Sequence, residues 1–235
     1  MHLWGYIVNT ITVLFGASLG LLIGGRLPEA MKKIILAGLG LSTILIGTQM
    51  ALETRRLILV VGSVVVGGVI GQIIGIEEWL ERVGERLRRR FEPRASGETD
   101  VGASTFVLGF VTASLLFCTG PMTIVGSLED GFAQKADLIY IKSLMDGMAA
   151  IALTASLGVG VFFSALTVLI FQGALTYAGM FLGQFMGEIV MAELTAAGGA
   201  LILGIGFNLL GVGRIKVGNF LPALVLAALL AWWLL

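Results

Sequence analysis

Cysteine and histidine are nearly missing: Cys118 and His2 stand alone. One cysteine excludes an internal disulfide, and one histidine excludes a histidine-rich metal site. Charge is scarce as well. Only 13% of residues are charged, about half the roughly 25% of a soluble domain. Acids and bases balance at 15 each, so net charge gives no reason to expect a nucleic-acid partner. No lysine or arginine precedes the first apolar run, whereas a cleaved signal peptide starts with a positive region. That run is therefore expected to stay as a helix with its N-terminus outside. No HExxH motif and no Ser/His dyad is present, so no catalytic residue is assigned and no cofactor is expected.

What is abundant is apolar or small. The 235 residues are 57% hydrophobic, include 34 glycines and have a mean hydropathy of +0.99. The apolar residues form long runs rather than the alternation of a membrane barrel. The expected class is an all-α, polytopic membrane protein in the lipid bilayer. Glycines let helix backbones approach closely in lipid, and the same faces would serve self-association.

Eight membrane segments are expected, near 4–24, 30–52, 57–76, 105–131, 138–158, 163–185, 191–210 and 217–235, each close to the roughly 20 residues needed to cross. Gly16, Gly20 and Gly24 form a packing face on the first, and Gly67, Gly71 and Gly75 on the third. Between the third and fourth lies the only long polar stretch. Trp79, Leu80, Val83, Leu87 and Phe91 make one helical stripe, opposite Glu77, Glu81, Arg82, Glu85, Arg86, Arg88 and Arg89. This reads as a helix lying in the interface or as a solvated extension of the third span, with a loop from 92 to 104. Gly120-Pro121 breaks the fourth segment, because proline clashes with the preceding turn. Residues 105–118 alone would reach about 21 Å, short of the roughly 30 Å core, so a second half-helix must finish the crossing. Arg26, Lys32, Lys33, the arginine-rich helix, Arg214 and Lys216 fall on one side, which the positive-inside rule makes cytoplasmic. Both termini then lie outside.

The first and last three spans align without a gap at an offset of 188 − 29 = 159. Gly20 meets Gly179, Gly24 meets Gly183, Glu29 meets Glu188, Gly40 meets Gly199, Gly47 meets Gly206, Gln49 meets Asn208 and Arg55 meets Arg214. Five crossings separate the first span from the sixth, so the two halves would be inverted, a recurrent construction of secondary transporters. The expected organisation is a single membrane domain: repeat 1–76, interfacial helix and loop 77–104, central broken and acidic helices 105–158, and inverted repeat 159–235.

The acids sit in that centre. Ser127-Leu128-Glu129-Asp130-Gly131 returns 16 residues later (146 − 130 = 16) as Ser143-Leu144-Met145-Asp146-Gly147. Ionisable residues inside a membrane are costly and mark functional sites by default. Thr123, Ser127 and Asp130 share one helical face, as do Ser143 and Asp146. Oxygen-rich faces of this kind suit a hard cation or a proton. Asp146 is about 12 Å into its helix, near the midplane, whereas Glu129 and Asp130 lie near an outer mouth. Lys142 is one turn before Asp146, so the two form an ion pair that either tunes a binding site or is purely architectural. The half-helix starting at Gly120-Pro121 presents free N–H groups that favour an anionic group. For Asn9, Gln49, Gln172 and Asn208, interhelical hydrogen bonding is the expected role.

The segments Phe117-Cys118-Thr119-Gly120-Pro121-Met122, Gly126-Ser127-Leu128-Glu129-Asp130-Gly131 and Lys142-Ser143-Leu144-Met145-Asp146-Gly147 resemble the YdfK/YqgA-type bacterial membrane proteins, a family of uncharacterised inner-membrane proteins. The resemblance implies a prokaryotic cytoplasmic-membrane protein and supplies no substrate. The leading expectation is a transporter or channel for a small solute or ion. Its site would be built from Asp146, Lys142, Asp130, Glu129, Ser127, Ser143 and Thr123, with Gly120 and Pro121 as the helix break. The alternatives are a membrane scaffold or assembly subunit and, more distantly, an intramembrane aspartyl hydrolase, whose two acids would have to share a proton at close range.

Overall fold

A computed structural model describes residues 4–24, 26, 28–91, 100–119, 121–132, 135–182 and 187–234. His2, Gly120, Gly183 and positions 92–99 of the expected loop lie outside these residues. The described chain is helical: α1 (Gly5–Gly24), α2 (Glu29–Ala51), α3 (Leu57–Ile74), α4 (Ile76–Phe91), α5 (Asp100–Thr119), α6 (Pro121–Phe132), α7 (Asp137–Leu157), α8 (Gly160–Leu182), α9 (Glu188–Leu209), a 3-10 turn (Val217–Phe220) and α10 (Pro222–Trp233). Among the described residues, six helices are long and apolar enough to cross a membrane: α1, α2, α3, α7, α8 and α9. The bent pair α5–α6 makes a seventh span if counted as one. The eighth expected segment is the shorter apolar stretch Val217–Trp233. The fourth segment starts earlier than expected. Residues 100–104, taken for loop, belong to the start of α5.

Glycine decides which helices touch. A Cβ on Gly16 would lie 2.2 Å from the Gly147 carbonyl oxygen, one on Gly20 2.5 Å from that of Ile151, and one on Gly24 2.8 Å from that of Ala155. The three contacts advance together along both chains, so α1 and α7 run parallel, backbone against backbone. Gly160 abuts the Phe106 carbonyl where α8 meets α5, and Gly131 abuts that of Thr176 where α6 meets α8. Gly67 and Gly71 seat α3 on Ala223 and Asn219. Gly75 does not join that face. It adopts φ 73° and ends α3 in the left-handed conformation, which glycine takes without steric cost.

The helix α2 packs on α9 in a pattern that maps onto itself. Gly40 faces Gly206 and Leu210, Gly47 faces Gly199 and Leu203, Gly199 faces Ala51, and Gly206 faces Ile44. Adding 159 to Gly40, Ile44, Gly47 and Ala51 gives Gly199, Leu203, Gly206 and Leu210. Each contact therefore has a counterpart with the two helices exchanged.

The chain bends by 68° between Thr105–Cys118 and Met122–Gly131. Pro121 has no N–H, so the Phe117 carbonyl loses the bond it would accept in a continuous helix. The Thr123 hydroxyl supplies it, donating to that oxygen at 2.7 Å. Leu80, Val83 and Leu87 of the α4 stripe lie on protein. Leu80 is buried, Val83 and Leu87 pack against the core formed by Phe106 and Phe110, and Gly84 lies against Phe110. Trp79 is left exposed. α4 is thus docked on α5 and the 3-10 turn through the face that the interfacial reading would have turned to lipid.

Candidate functional site

In the twin Asp-Gly pattern each glycine is a helix contact that carries its aspartate inward. Gly147 is covered by Thr12 and Gly16 of α1, and Gly131 by Thr176 and Gly179 of α8. Asp146 is consequently buried between α7, α1 and α8. Its Oδ2 accepts a hydrogen bond from Asn9 Nδ2 at 2.9 Å and pairs with the ammonium of Lys142, one turn earlier on α7. The same Asn9 amide donates to Gln172 Oε1 of α8 at 3.0 Å. Lys142 Nζ also lies 5.9 Å from the centroid of the Phe117 ring, just before the break. Asn9 and Gln172 are fully buried, and Lys142 and Asp146 nearly so. Among the described residues, Asn9 Oδ1 and Gln172 Nε2 have no hydrogen-bond partner. Four polar side chains from three helices thus form one network, with a carbonyl oxygen and an amide nitrogen left over in an apolar interior.

Asp130 belongs to a second layer. It lies inside α6 and is buried, with Oδ2 accepting from the Gly5 N–H at 3.2 Å and Oδ1 unpartnered. The hydroxyls of Ser127 on the same helix and Thr176 on α8 are buried and unpartnered too. Gly5 and Asn9 are one turn apart on α1, so the two layers are offset by about 6 Å along that helix. Asp130 and Asp146 are bound to different turns of α1 and share no hydrogen bond, which is not the proton-sharing dyad of an aspartyl hydrolase.

The other expected site residues have different surroundings. Ser143 Oγ donates to the Ile139 carbonyl at 2.6 Å, and Thr123 Oγ1 serves the break. Glu129 is exposed and turned away from buried Asp130. Among the described residues, no group of three or more His, Cys, Asp or Glu side chains is placed to hold a metal ion. An apolar crevice of about 210 Å³, lined by Val64, Leu203, Gly204, Phe207, Val217 and Phe220, contains none of the site residues.

Two further acidic positions are well defined. Glu193 of α9 is fully buried. Its Oε1 accepts from the backbone N–H groups of Arg55 and Arg56, both at 2.9 Å, and its Oε2 from the Thr54 hydroxyl at 2.5 Å. It holds the turn before α3, beside an ion pair between Arg55 and Glu188 at 3.6 Å. The sequence signal was available, since Glu193 is an acid inside an expected span. Glu77 accepts from the Gly218 N–H at 2.6 Å, while its own N–H donates to Asn219 Oδ1 at 2.7 Å. Burial pushes the Glu77 carboxyl above the usual carboxylate range, and the Gly218 N–H pulls the other way.

Residues 4–232 match the family described as "Protein of unknown function (DUF554)". The chain is similar to the "Uncharacterized protein YqgA" of Escherichia coli (strain K12), with 30% identity over 223 residues, 95% of this chain and 94% of that protein. It is similar to the "Uncharacterized membrane protein YdfK" of Bacillus subtilis (strain 168), with 25% identity over 228 residues, 95% of this chain and 93% of that one. A partial likeness, 27% over 111 residues, covers 43% of this chain and 59% of the "Putative manganese efflux pump MntP" of Syntrophotalea carbinolica. No solved structure matches.

Proposed function

The chain belongs to the DUF554 family, and on that premise we propose that this membrane protein is a transporter for a small hard cation, with Asp146 as the carboxylate that meets the cargo. One observation carries the reading: the buried Asn9–Asp146–Lys142–Gln172 network, incompletely satisfied in the middle of an apolar bundle. Ionisable groups at such depth pair with one another and mark ion pathways. The ligand chemistry agrees. Asp146 supplies carboxylate oxygens and Asn9 Oδ1 a free carbonyl oxygen, the donor types a hard cation prefers. The partial likeness to a protein named for manganese efflux supports a divalent cation as cargo. Asp130, Ser127 and Thr176 form a preceding station one turn nearer the Gly5 end of α1.

The architecture in this proposal is two inverted three-helix halves, α1–α3 and α8–α10, flanking the central α5–α7. Support comes from the exchange pattern of the α2–α9 contacts, since a two-fold axis makes residue i meet j′ wherever j meets i′. The basic residues orient the protein with Arg26, Lys32, Lys33, Arg214 and Lys216 in the cytoplasm and both termini outside, in the inner membrane.

The test is initial-rate Mn²⁺ uptake into proteoliposomes. Asp146→Asn keeps the shape and the Asn9 contact but removes the charge. Uptake should fall to the level of protein-free vesicles while the protein remains monodisperse. Wild-type rates from that variant would end the assignment.

A further inference from the structure

The ion pair of Lys142 and Asp146 is poorly explained as architecture. A buried pair is held only when its remaining donors and acceptors are satisfied, and replacing such a pair with apolar groups is often neutral or stabilising. An ammonium has three donors, yet among the described residues the hydrogen bond of Lys142 is the one to Asp146 Oδ2. That oxygen is shared with Asn9 Nδ2. The neighbouring Asn9 Oδ1 is unpartnered. The only acid pairing with Lys142 among the described residues is Asp146. Its other notable neighbour is the face of Phe117, 5.9 Å from Nζ to the ring centroid. An aromatic face attracts a cation at that range, so the ring already flanks the paired ammonium, and the flexible four-carbon stem of lysine would let its head turn from the carboxylate onto that face.

We propose that Lys142 is a tethered stand-in for the cargo: in the empty protein its ammonium occupies the cation position on Asp146, and an arriving cation displaces it toward the Phe117 ring. This rests on the transport reading above and adds a specificity device to it. The tethered charge keeps Asp146 neutralised when no cargo is bound. It also sets a threshold, because only a cation that binds the carboxylate better than the lysine does can enter. Lys142 is a positioning and competing residue here, not a ligand.

A merely structural lysine and a competing one respond oppositely to substitution. Mn²⁺ uptake is measured in proteoliposomes as a function of Mn²⁺ concentration for wild type, Lys142→Met, Lys142→Arg and Asp146→Asn. Removing the competitor in Lys142→Met should lower the half-saturating Mn²⁺ concentration at least tenfold. Lys142→Arg keeps the charge but grips a carboxylate through two parallel donors, so it should raise half-saturation at least tenfold or stop uptake. Wild-type behaviour of the arginine variant, with loss of affinity in the methionine variant, overturns the proposal. If Lys142→Met is not recovered as folded protein, the arginine variant and Lys142→Gln decide, the latter with the methionine expectation. Wild-type uptake no greater than that of Asp146→Asn defeats the transport reading itself, a result distinct from any ordering among the lysine variants.

Discussion

Glu193 and Asp146 are both buried acids in apolar helices, and they are held in different ways. Glu193 faces two backbone N–H groups and one hydroxyl of a single turn. Those donors are fixed by the chain path, and both carboxylate oxygens are used. Asp146 is held by side chains among the described residues: an amide from α1 and a lysine ammonium from its own helix. Its surroundings retain an unpartnered carbonyl oxygen and amide nitrogen. A carboxylate satisfied by backbone is a clamp, because releasing it means unmaking a turn. A carboxylate satisfied by side chains that can rotate away is able to exchange partners. Burial alone therefore does not distinguish the acid proposed to meet the cargo. What sets Asp146 apart is that its partners are side chains and not backbone.

The comparison predicts several outcomes, beginning with the largest. Gly16→Val puts a Cβ against the Gly147 carbonyl, a backbone atom that cannot rotate away. Overpacking ordinarily costs about 1–3 kcal/mol. Here it should exceed that range and move Asn9 off Asp146, abolishing both thermal stability and uptake. Gly38→Ala is the control, because nothing lies within 4 Å of the added Cβ. Both are read by the fraction of monodisperse protein after heating. Glu193→Ala orphans three donors that are only part-buried, so each should cost near the low end of about 1–3 kcal/mol and the three together about 3–4 kcal/mol. Thermal unfolding in detergent measures it, and the surviving folded protein should transport normally.

Glu77 gives the smallest effect and sharpens the same distinction, because its acceptor role is toward the backbone of Gly218. Burial raises its folded-state pKa. A raised carboxylate contributes its stabilisation fully below the unfolded carboxylate range, and that contribution is lost as pH rises through the folded value. Glu77→Gln is neutral at every pH. It should raise the thermal midpoint slightly at neutral and alkaline pH and flatten the profile above the ordinary glutamate range of about pH 4.3. An unchanged slope would refute the burial argument.

Much of the organisation was legible in sequence because it rests on local spacing. The small-residue face of α1 is visible as Gly16, Gly20 and Gly24, and it is the face that meets α7. The pairing of Lys142 with Asp146 follows from one helical turn. Asn9 and Gln172 were expected to bond between helices, and they do, but no spacing rule reveals that their shared partner is Asp146. That depends on three helices meeting, which is tertiary information. Ser143 and Thr123 looked like ligand hydroxyls because they share a face with the aspartates. Their hydroxyls go to carbonyls of Ile139 and Phe117, the local competition that serine and threonine commonly enter in helices. Glu129 and Asp130 are adjacent in sequence but lie on different faces of α6, so one is exposed and the other buried. The α4 stripe is amphipathic enough to suggest lipid, and only the arrival of α5 shows what covers it.

The most direct test sets the two acids side by side. Asp146→Asn and Glu193→Gln are reconstituted at equal amounts of folded protein, and initial Mn²⁺ uptake per folded molecule is compared with wild type. The prediction is wild-type uptake for Glu193→Gln and none above protein-free vesicles for Asp146→Asn. Uptake that survives in Asp146→Asn, or that is lost in folded Glu193→Gln alone, would contradict it.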